Sequence, residues 1–182
     1  MDIYQQKKML RKKVKMLKQQ YPLQEKKHLS KAIFEKLESL DIFQNSSIIM
    51  AYWSMDDEVH THEFIQKWMG KKRIILPVVT GDELELKEFT GVEQMKSGEQ
   101  FGIPEPTGSL FTSEEQIELI LVPGVAFDKN NNRMGRGKAY YDRLLRNTAA
   151  SKIGLAFHFQ IYEEVPFDEL DVKMDMVISE LK

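Results

Sequence analysis

The sequence predicts an α/β fold, a mostly parallel sheet covered by helices on both faces, built as a single domain over residues 1–182. Three observations carry this reading. Short apolar runs bounded by turn residues recur at 48–53, 73–79, 119–123, 153–157 and 176–179, the texture of strands buried on both faces. Helical stretches lie between them, and strands that alternate with helices imply parallel pairing. No repeat and no Pro/Gly/Ser-rich linker divides the 182 residues, a length that suits one core.

Taken in order, the chain opens on a helix. Ile3, Leu10, Val14 and Leu17 fall on one face at spacings of seven, four and three, with lysines over the rest, and Pro22 stops it. Most of Lys8, Lys12, Lys13, Lys15 and Lys18 are expected in solvent. A second helix spans 24–40, burying Leu29, Ile33, Phe34, Leu37 and Leu40. Further helical stretches are expected at 61–69, 112–117 and 139–147. Residues 84–90 alternate Leu84 and Leu86 with charged neighbours, which predicts a half-exposed strand beside the main sheet.

Composition narrows the function. The chain is 42% hydrophobic and 30% charged with a net charge of −2, values of an ordinary globular protein and not of a general nucleic-acid binder. Without cysteine, disulfides, thiolate metal sites and a cysteine nucleophile are excluded. The first residues lack the apolar stretch of a signal peptide, and no run approaches a membrane span. A cytoplasmic protein with no membrane partner is expected, and a monomer.

The segment Asn130-Asn131-Asn132-Arg133-Met134-Gly135-Arg136-Gly137-Lys138-Ala139-Tyr140-Tyr141-Asp142-Arg143 concentrates glycines, cations, two phenols and a carboxylate. Glycines let backbone N–H groups approach an anion, and Arg and Lys give charge-assisted hydrogen bonds to phosphate oxygens. The segment follows the strand at 119–123 and the loop at 124–132 and runs into a helix, where open α/β sheets collect ligands and helix amides favour an anion. It matches neither a Walker A motif nor a dinucleotide fingerprint, and the competing reading is a solvated Asn/Gly turn. One of Tyr140 and Tyr141 should pack into the core while its neighbour, about 100° away, faces the cleft.

Other constellations can complete a site. Lys7 and Arg11 are four residues apart and sit on the shoulder of the first helix's apolar stripe. The run from Tyr52 to Thr61 follows a buried strand, and its aromatic, thioether and carboxylate groups suit a flat polar heterocycle. A capped loop, with Thr61 as N-cap, is the alternative there. Asp168, Glu169, Asp171 and Asp175 could supply oxygen ligands to Mg²⁺ beside a nucleotide, or form a plain acidic surface.

These residues resemble the 5-formyltetrahydrofolate cyclo-ligase (methenyltetrahydrofolate synthetase) family over nearly the whole chain. The likeness rests on Lys7-x-x-x-Arg11, Asp57-Glu58-Val59-x-Thr61, Leu76-Pro77-Val78, Gly102-Ile103-x-Glu105-Pro106, Val122-Pro123-Gly124-x-Ala126-Phe127-Asp128, the segment from Arg133 to Asp142, Gln160, and Asp171-x-x-x-Asp175. It implies a three-layer α/β/α Rossmann-like fold and ATP-dependent closure of 5-formyltetrahydrofolate to 5,10-methenyltetrahydrofolate, with release of ADP and phosphate.

The resemblance also implies roles. Lys7, Arg11, Arg133, Met134, Gly135, Arg136, Gly137, Lys138, Ala139, Tyr140 and Tyr141 would hold ATP. Met55, Glu58, His60, Arg136, Gly137, Lys138, Ala139 and Tyr140 would face the folate, Arg136 and Lys138 would be catalytic, and Asp142 with Asp171 would bind Mg²⁺. Ala139 stands where the family usually has glycine, and His60 where it has an acidic residue. Two other readings compete: a non-catalytic nucleotide- or sugar-phosphate-binding module of similar fold, and a small RNA-binding protein using Lys7 to Lys18.

Overall fold

The computed structural model describes residues 2–98 and 102–181. Helix α1 (Ile3–Gln19) is capped by Asp2, whose Oδ1 accepts the Gln5 N–H at 2.8 Å. Helix α2 (Leu23–Glu38) follows Pro22, and a short α3 (Asp41–Asn45) leads into β1 (Ile48–Met50). Then come α4 (His62–Trp68), β2 (Arg73–Thr80), β3 (Glu83–Glu88), β4 (Met95–Ser97) and β5 (Pro104–Pro106). The second half holds β6 (Leu119–Val122), β7 (Ala126–Asp128), β8 (Arg133–Met134), α5 (Tyr140–Leu145), β9 (Ser151–Leu155), β10 (Ile161–Tyr162) and β11 (Met176–Ile178).

Six strands form the main sheet in the order β11-β9-β6-β1-β2-β3. Every pairing is parallel except β2 with β3, so the stretch with alternating leucines is the antiparallel edge strand. All five apolar runs are in this sheet, and β6 is buried along its whole length. Alternate residues feed two cores. Ile49, Ile74, Leu119, Leu121, Ile153 and Ile178 meet α2, α3 and α4 through Ile33, Phe34, Leu37, Phe43, Phe64 and Ile65. Met50, Ile75, Ile120, Val122 and Val177 meet Phe111, Ile117, Phe127 and Leu145 on the other face, where among the described residues α5 is the one α-helix in the cluster and loops supply the rest.

Two local expectations need correction. The expected loop at 124–132 contains β7, and β8 begins inside the glycine-rich segment; with β10 they make a second sheet, ordered β10-β7-β8. The expected helix at 112–117 is a single 3₁₀ turn, Glu114–Gln116, too short to show periodicity. Lys8, Lys12, Lys13 and Lys15 are exposed as expected; Lys18 is the exception at 4% exposure, because Asp57 reaches its ammonium at 3.2 Å.

The strand order fixes where a ligand can go. From β1 the chain winds outward through β2 and β3, then returns to the opposite side of β1 as β6 and continues through β9 to β11. The connections therefore diverge between β1 and β6. Beyond the carboxyl ends of those two strands the loops separate and leave a crevice.

Candidate active site

The segment after β1 forms one wall of that crevice, with Tyr52, Trp53, Met55 and Glu58 facing inward. A tight turn presents the last two: the Met55 N–H donates to Glu58 Oε2 at 2.9 Å, and the Glu58 N–H returns to the Met55 carbonyl at 3.1 Å. Behind it, the Ser54 N–H donates to Thr61 Oγ1 and the Thr61 N–H to Ser54 Oγ, while the Thr61 hydroxyl donates to the Tyr52 carbonyl. Thr61 stands at the N-cap position of α4, but its side chain makes no capping bond. Its hydroxyl locks the loop across its base.

The opposite wall is the segment from Arg133 to Asp142, entered from Pro123 and Gly124. Its backbone bends sharply: Gly137 has φ 99° and Ala139 has φ 55°, both in the left-handed region that favours glycine. A Cβ at Gly137 would sit 3.4 Å from the Arg11 guanidinium, and Arg11 Nε–H donates to the Gly135 carbonyl at 2.9 Å. Helix α5 has only six residues, so the cradle relies on loop amides and side chains, with little from a helix dipole. Leu76, Pro77 and Val79 of β2, Leu84 of β3 and Ile103 complete the lining with an apolar floor.

Three cations of the site, Lys7, Arg133 and Arg136, are paired with carboxylates across or behind the cleft. Lys7 Nζ donates to Asp168 Oδ2 at 2.7 Å and Asp171 Oδ2 at 2.6 Å. Burial opposes its charge, but these two bonds hold the ammonium above its ordinary value. Arg133 Nη2 donates to Asp142 Oδ1 at 2.8 Å, and the Val172 N–H adds a second bond to that oxygen at 3.1 Å. Arg136 Nη2 reaches Asp57 Oδ1 at 2.8 Å and Glu58 Oε1 at 3.1 Å. Burial alone would raise the Asp57 pKa; Lys18 and Arg136 outweigh it and hold the carboxyl below its usual range. Lys138 lines the cleft, and no hydrogen bond or ion pair engages its ammonium among the described residues.

Both tyrosines line the cleft. Tyr141 also packs on the second core, with the Arg133 guanidinium 5.7 Å from its ring centroid. Burial, reinforced by the Glu58 charge, pushes its phenol well up. Tyr140 leans outward, its hydroxyl donating to the Gly81 carbonyl at 3.3 Å.

The structure gathers Met55, Glu58, Arg133, Gly135, Arg136, Lys138, Ala139, Tyr140, Tyr141 and Asp142 around one cleft, with Gly137 and Arg11 on its rim. Lys7 and Asp171 pair with each other nearby, joined to Asp142 through Val172. Two expected contacts fall elsewhere. The Met134 side chain is buried with Val14, Val125 and Val165 in a third core, which leaves only its backbone for a ligand. His60 lines a separate groove between α2 and α4 with Lys27 and Glu63, because its N–H is anchored to Ser30 Oγ at 2.8 Å.

Neither Lys18 nor the apolar floor is marked as part of this cleft by the sequence. Pro77 inside a strand-like run was the available signal, since proline interrupts a ladder; it falls beyond Ile75, the last residue of β2 paired with β1.

The 5-formyltetrahydrofolate cyclo-ligase family model matches residues 3–180. The chain belongs to that family. Among curated relatives, a probable 5-formyltetrahydrofolate cyclo-ligase of Caenorhabditis elegans is 34% identical, the match covering 94% of this chain and 91% of the relative. The solved 5,10-methenyltetrahydrofolate synthetase of Aquifex aeolicus superposes with a TM-score of 0.87 at 35% identity, covering 97% of this chain and 90% of that one. The Mycoplasma pneumoniae synthetase gives 0.77 at 28% identity, covering 96% and 98%. Cyclo-ligase membership accounts for a cleft with two chemically different walls, one cationic and one aromatic and acidic.

Proposed function

We propose that this chain converts 5-formyltetrahydrofolate to 5,10-methenyltetrahydrofolate, with ATP as co-substrate and ADP and phosphate as products. The observation that carries this reading is the Met55/Glu58 wall facing the glycine loop across one cleft. A plain phosphate-binding module has no task for that wall. An RNA binder would display Lys7 to Lys18, yet Lys7 and Lys18 are both held by carboxylates.

The formamide carbonyl is a poor electrophile, and its oxygen is a poor leaving group. Transfer of the γ-phosphoryl to the formyl oxygen, with departure of ADP, corrects both. N10 then attacks the formyl carbon, loses its proton, and phosphate leaves with the former formyl oxygen. No protein nucleophile takes part, so the residues act by positioning and by neutralising charge. Arg136 and Lys138 meet the transferring phosphoryl oxygens, Arg11 and the amides of 135–139 hold the remaining phosphates, and Lys7 supports them from α1. Met55 and Glu58 seat the pterin, with the apolar floor beneath its rings.

The Mg²⁺ site is assigned to Asp142 and Asp171. Each has one oxygen committed: Asp142 Oδ1 to Arg133 and the Val172 N–H, and Asp171 Oδ2 to Lys7 and the Asp168 N–H. The second oxygen of each carries no hydrogen bond among the described residues, and a few hard oxygen ligands beside phosphates suit Mg²⁺. When bound, the ion would neutralise charge on the phosphate oxygens. A cytoplasmic monomer acting on small molecules completes the reading; no described helix is long and apolar enough to cross a membrane.

The test is to mix purified protein with 5-formyltetrahydrofolate, Mg²⁺ and ATP and to follow the methenyl absorbance. An ATP-dependent rise is expected. Equal traces with and without ATP would remove the assignment.

A further inference from the structure

Arg136 closes the cleft, which binding phosphate does not require. It belongs to the glycine loop, yet its Nη2 is clamped to Asp57 and Glu58 on the opposite wall at 2.8 and 3.1 Å. The two carboxylates differ in what else holds them. Asp57 has a second cation, because Lys18 arrives from α1 and places Nζ 3.2 Å from its other oxygen. Glu58 has no other ion pair among the described residues. Its Oε2 is taken by the Met55 N–H at 2.9 Å, and its Oε1 is bonded to Arg136 alone.

Withdrawal of Arg136 would therefore affect the two acids unequally. Asp57 would stay neutralised by Lys18. Glu58, with a side chain only 10% exposed, would be left with an unpaired oxygen in a cleft it lines, an unfavourable state until a donor arrives. The 2-amino-4-oxo edge of a pterin offers two adjacent N–H donors, the pattern a guanidinium presents to a carboxylate.

We infer that Arg136 is an internal occupant of the pterin subsite, and that polyphosphate binding draws it off Glu58 so that nucleotide and folate bind with positive coupling. This rests on the function proposed above and adds the order of events within the cleft. By linkage the coupling is reciprocal: bound folate, holding Glu58, releases Arg136 to the phosphates.

Isothermal titration of the intact protein with 5-formyltetrahydrofolate, with and without a β,γ-imido analogue of ATP, measures the coupling. The analogue should tighten folate binding about 5- to 10-fold. R136A should bind folate about 3-fold more tightly than the natural protein when no nucleotide is present, and should gain nothing from the analogue. A tail-free 5-formyltetrahydropterin should show the same pattern, which excludes attraction between Arg136 and the glutamate carboxylates. D57N, which keeps Arg136 but loosens its hold, should shift in the same direction by less. Equal folate affinity with and without the analogue in the natural protein, or weaker nucleotide-free binding of the tail-free pterin by R136A, overturns the inference and leaves the function standing. Failure of the natural protein to bind folate in either condition overturns both.

Discussion

Arg133 and Asp142 form a nearly solvent-free ion pair, Nη2 to Oδ1 at 2.8 Å, with side chains 4% and 11% exposed. It ties β8, at the start of the glycine loop, to α5, at its end, so the loop is closed as a staple. Arg133 also donates through Nη1 to the Pro123 carbonyl at 3.2 Å, fixing the loop to the end of β6.

Removing one partner leaves a buried charge uncompensated. Arg133→Met and Asp142→Asn should each lower unfolding free energy by about 3 kcal/mol, and the double variant by clearly less than the sum. Urea unfolding of the three proteins measures this. Strict additivity would mean that the pair is not what holds the loop.

Lys138 presents the opposite case, an exposed cation with no structural partner among the described residues. Lys138→Ala should leave the unfolding free energy within the range of a neutral surface change, about 0.5 kcal/mol, and should lower kcat at saturating ATP by about 100-fold. Near-normal turnover in both this variant and Arg136→Ala would show that neither meets the phosphoryl group.

Ala139 carries backbone strain. At φ 55° and ψ 17°, a residue with a Cβ costs about 1–2 kcal/mol relative to glycine. Ala139→Gly should raise stability by about 1 kcal/mol once glycine's greater freedom in the unfolded chain is subtracted. Ala139→Val should destabilise, since a β-branched side chain tolerates this region least. Chemical unfolding of both variants decides it.

Asp128 sets an acid limit. Its fully buried carboxylate accepts N–H bonds from Asn130, Asn132 and Val165 and from Asn132 Nδ2. Burial pushes its pKa up, but these bonds outweigh it and hold the group below the ordinary 3.8. A depressed folded pKa gives stability that is complete above the unfolded value and lost as pH falls through the folded one. Asp128→Asn should cost about 2 kcal/mol at neutral pH, and the gap between the two melting temperatures should narrow below pH 3.8. A constant gap from pH 7 to pH 3 would rule out ionisation as the source.

The parts of the fold legible in the sequence are those where one residue class repeats. The buried strands show as apolar runs, and the edge strand shows its half-exposure in the alternation of Leu84 and Leu86 with charges. The glycine loop shows in composition alone. What escaped depends on partners distant in sequence. Lys18 reads as one more helix lysine until Asp57, 39 residues away, is seen to bury it. His60 turns from the cleft because of Ser30, 30 residues earlier on α2. Strands of two or three residues such as β8 and β10 are too short to show any period, so Met134 could not be told from an exposed loop residue.

The strand order has a consequence for how the protein comes into being. The crevice opens between β1 and β6, whose paired residues Ile49 and Leu119 lie 70 positions apart. The two walls cannot be brought together from neighbouring sequence. A chain emerging from synthesis holds the acidic wall early but has no opposite wall until β6 and the glycine loop have followed. Pairings this distant form slowly, so ligand affinity should appear abruptly at the end of folding, and a chain cut between β3 and β6 should retain none of it.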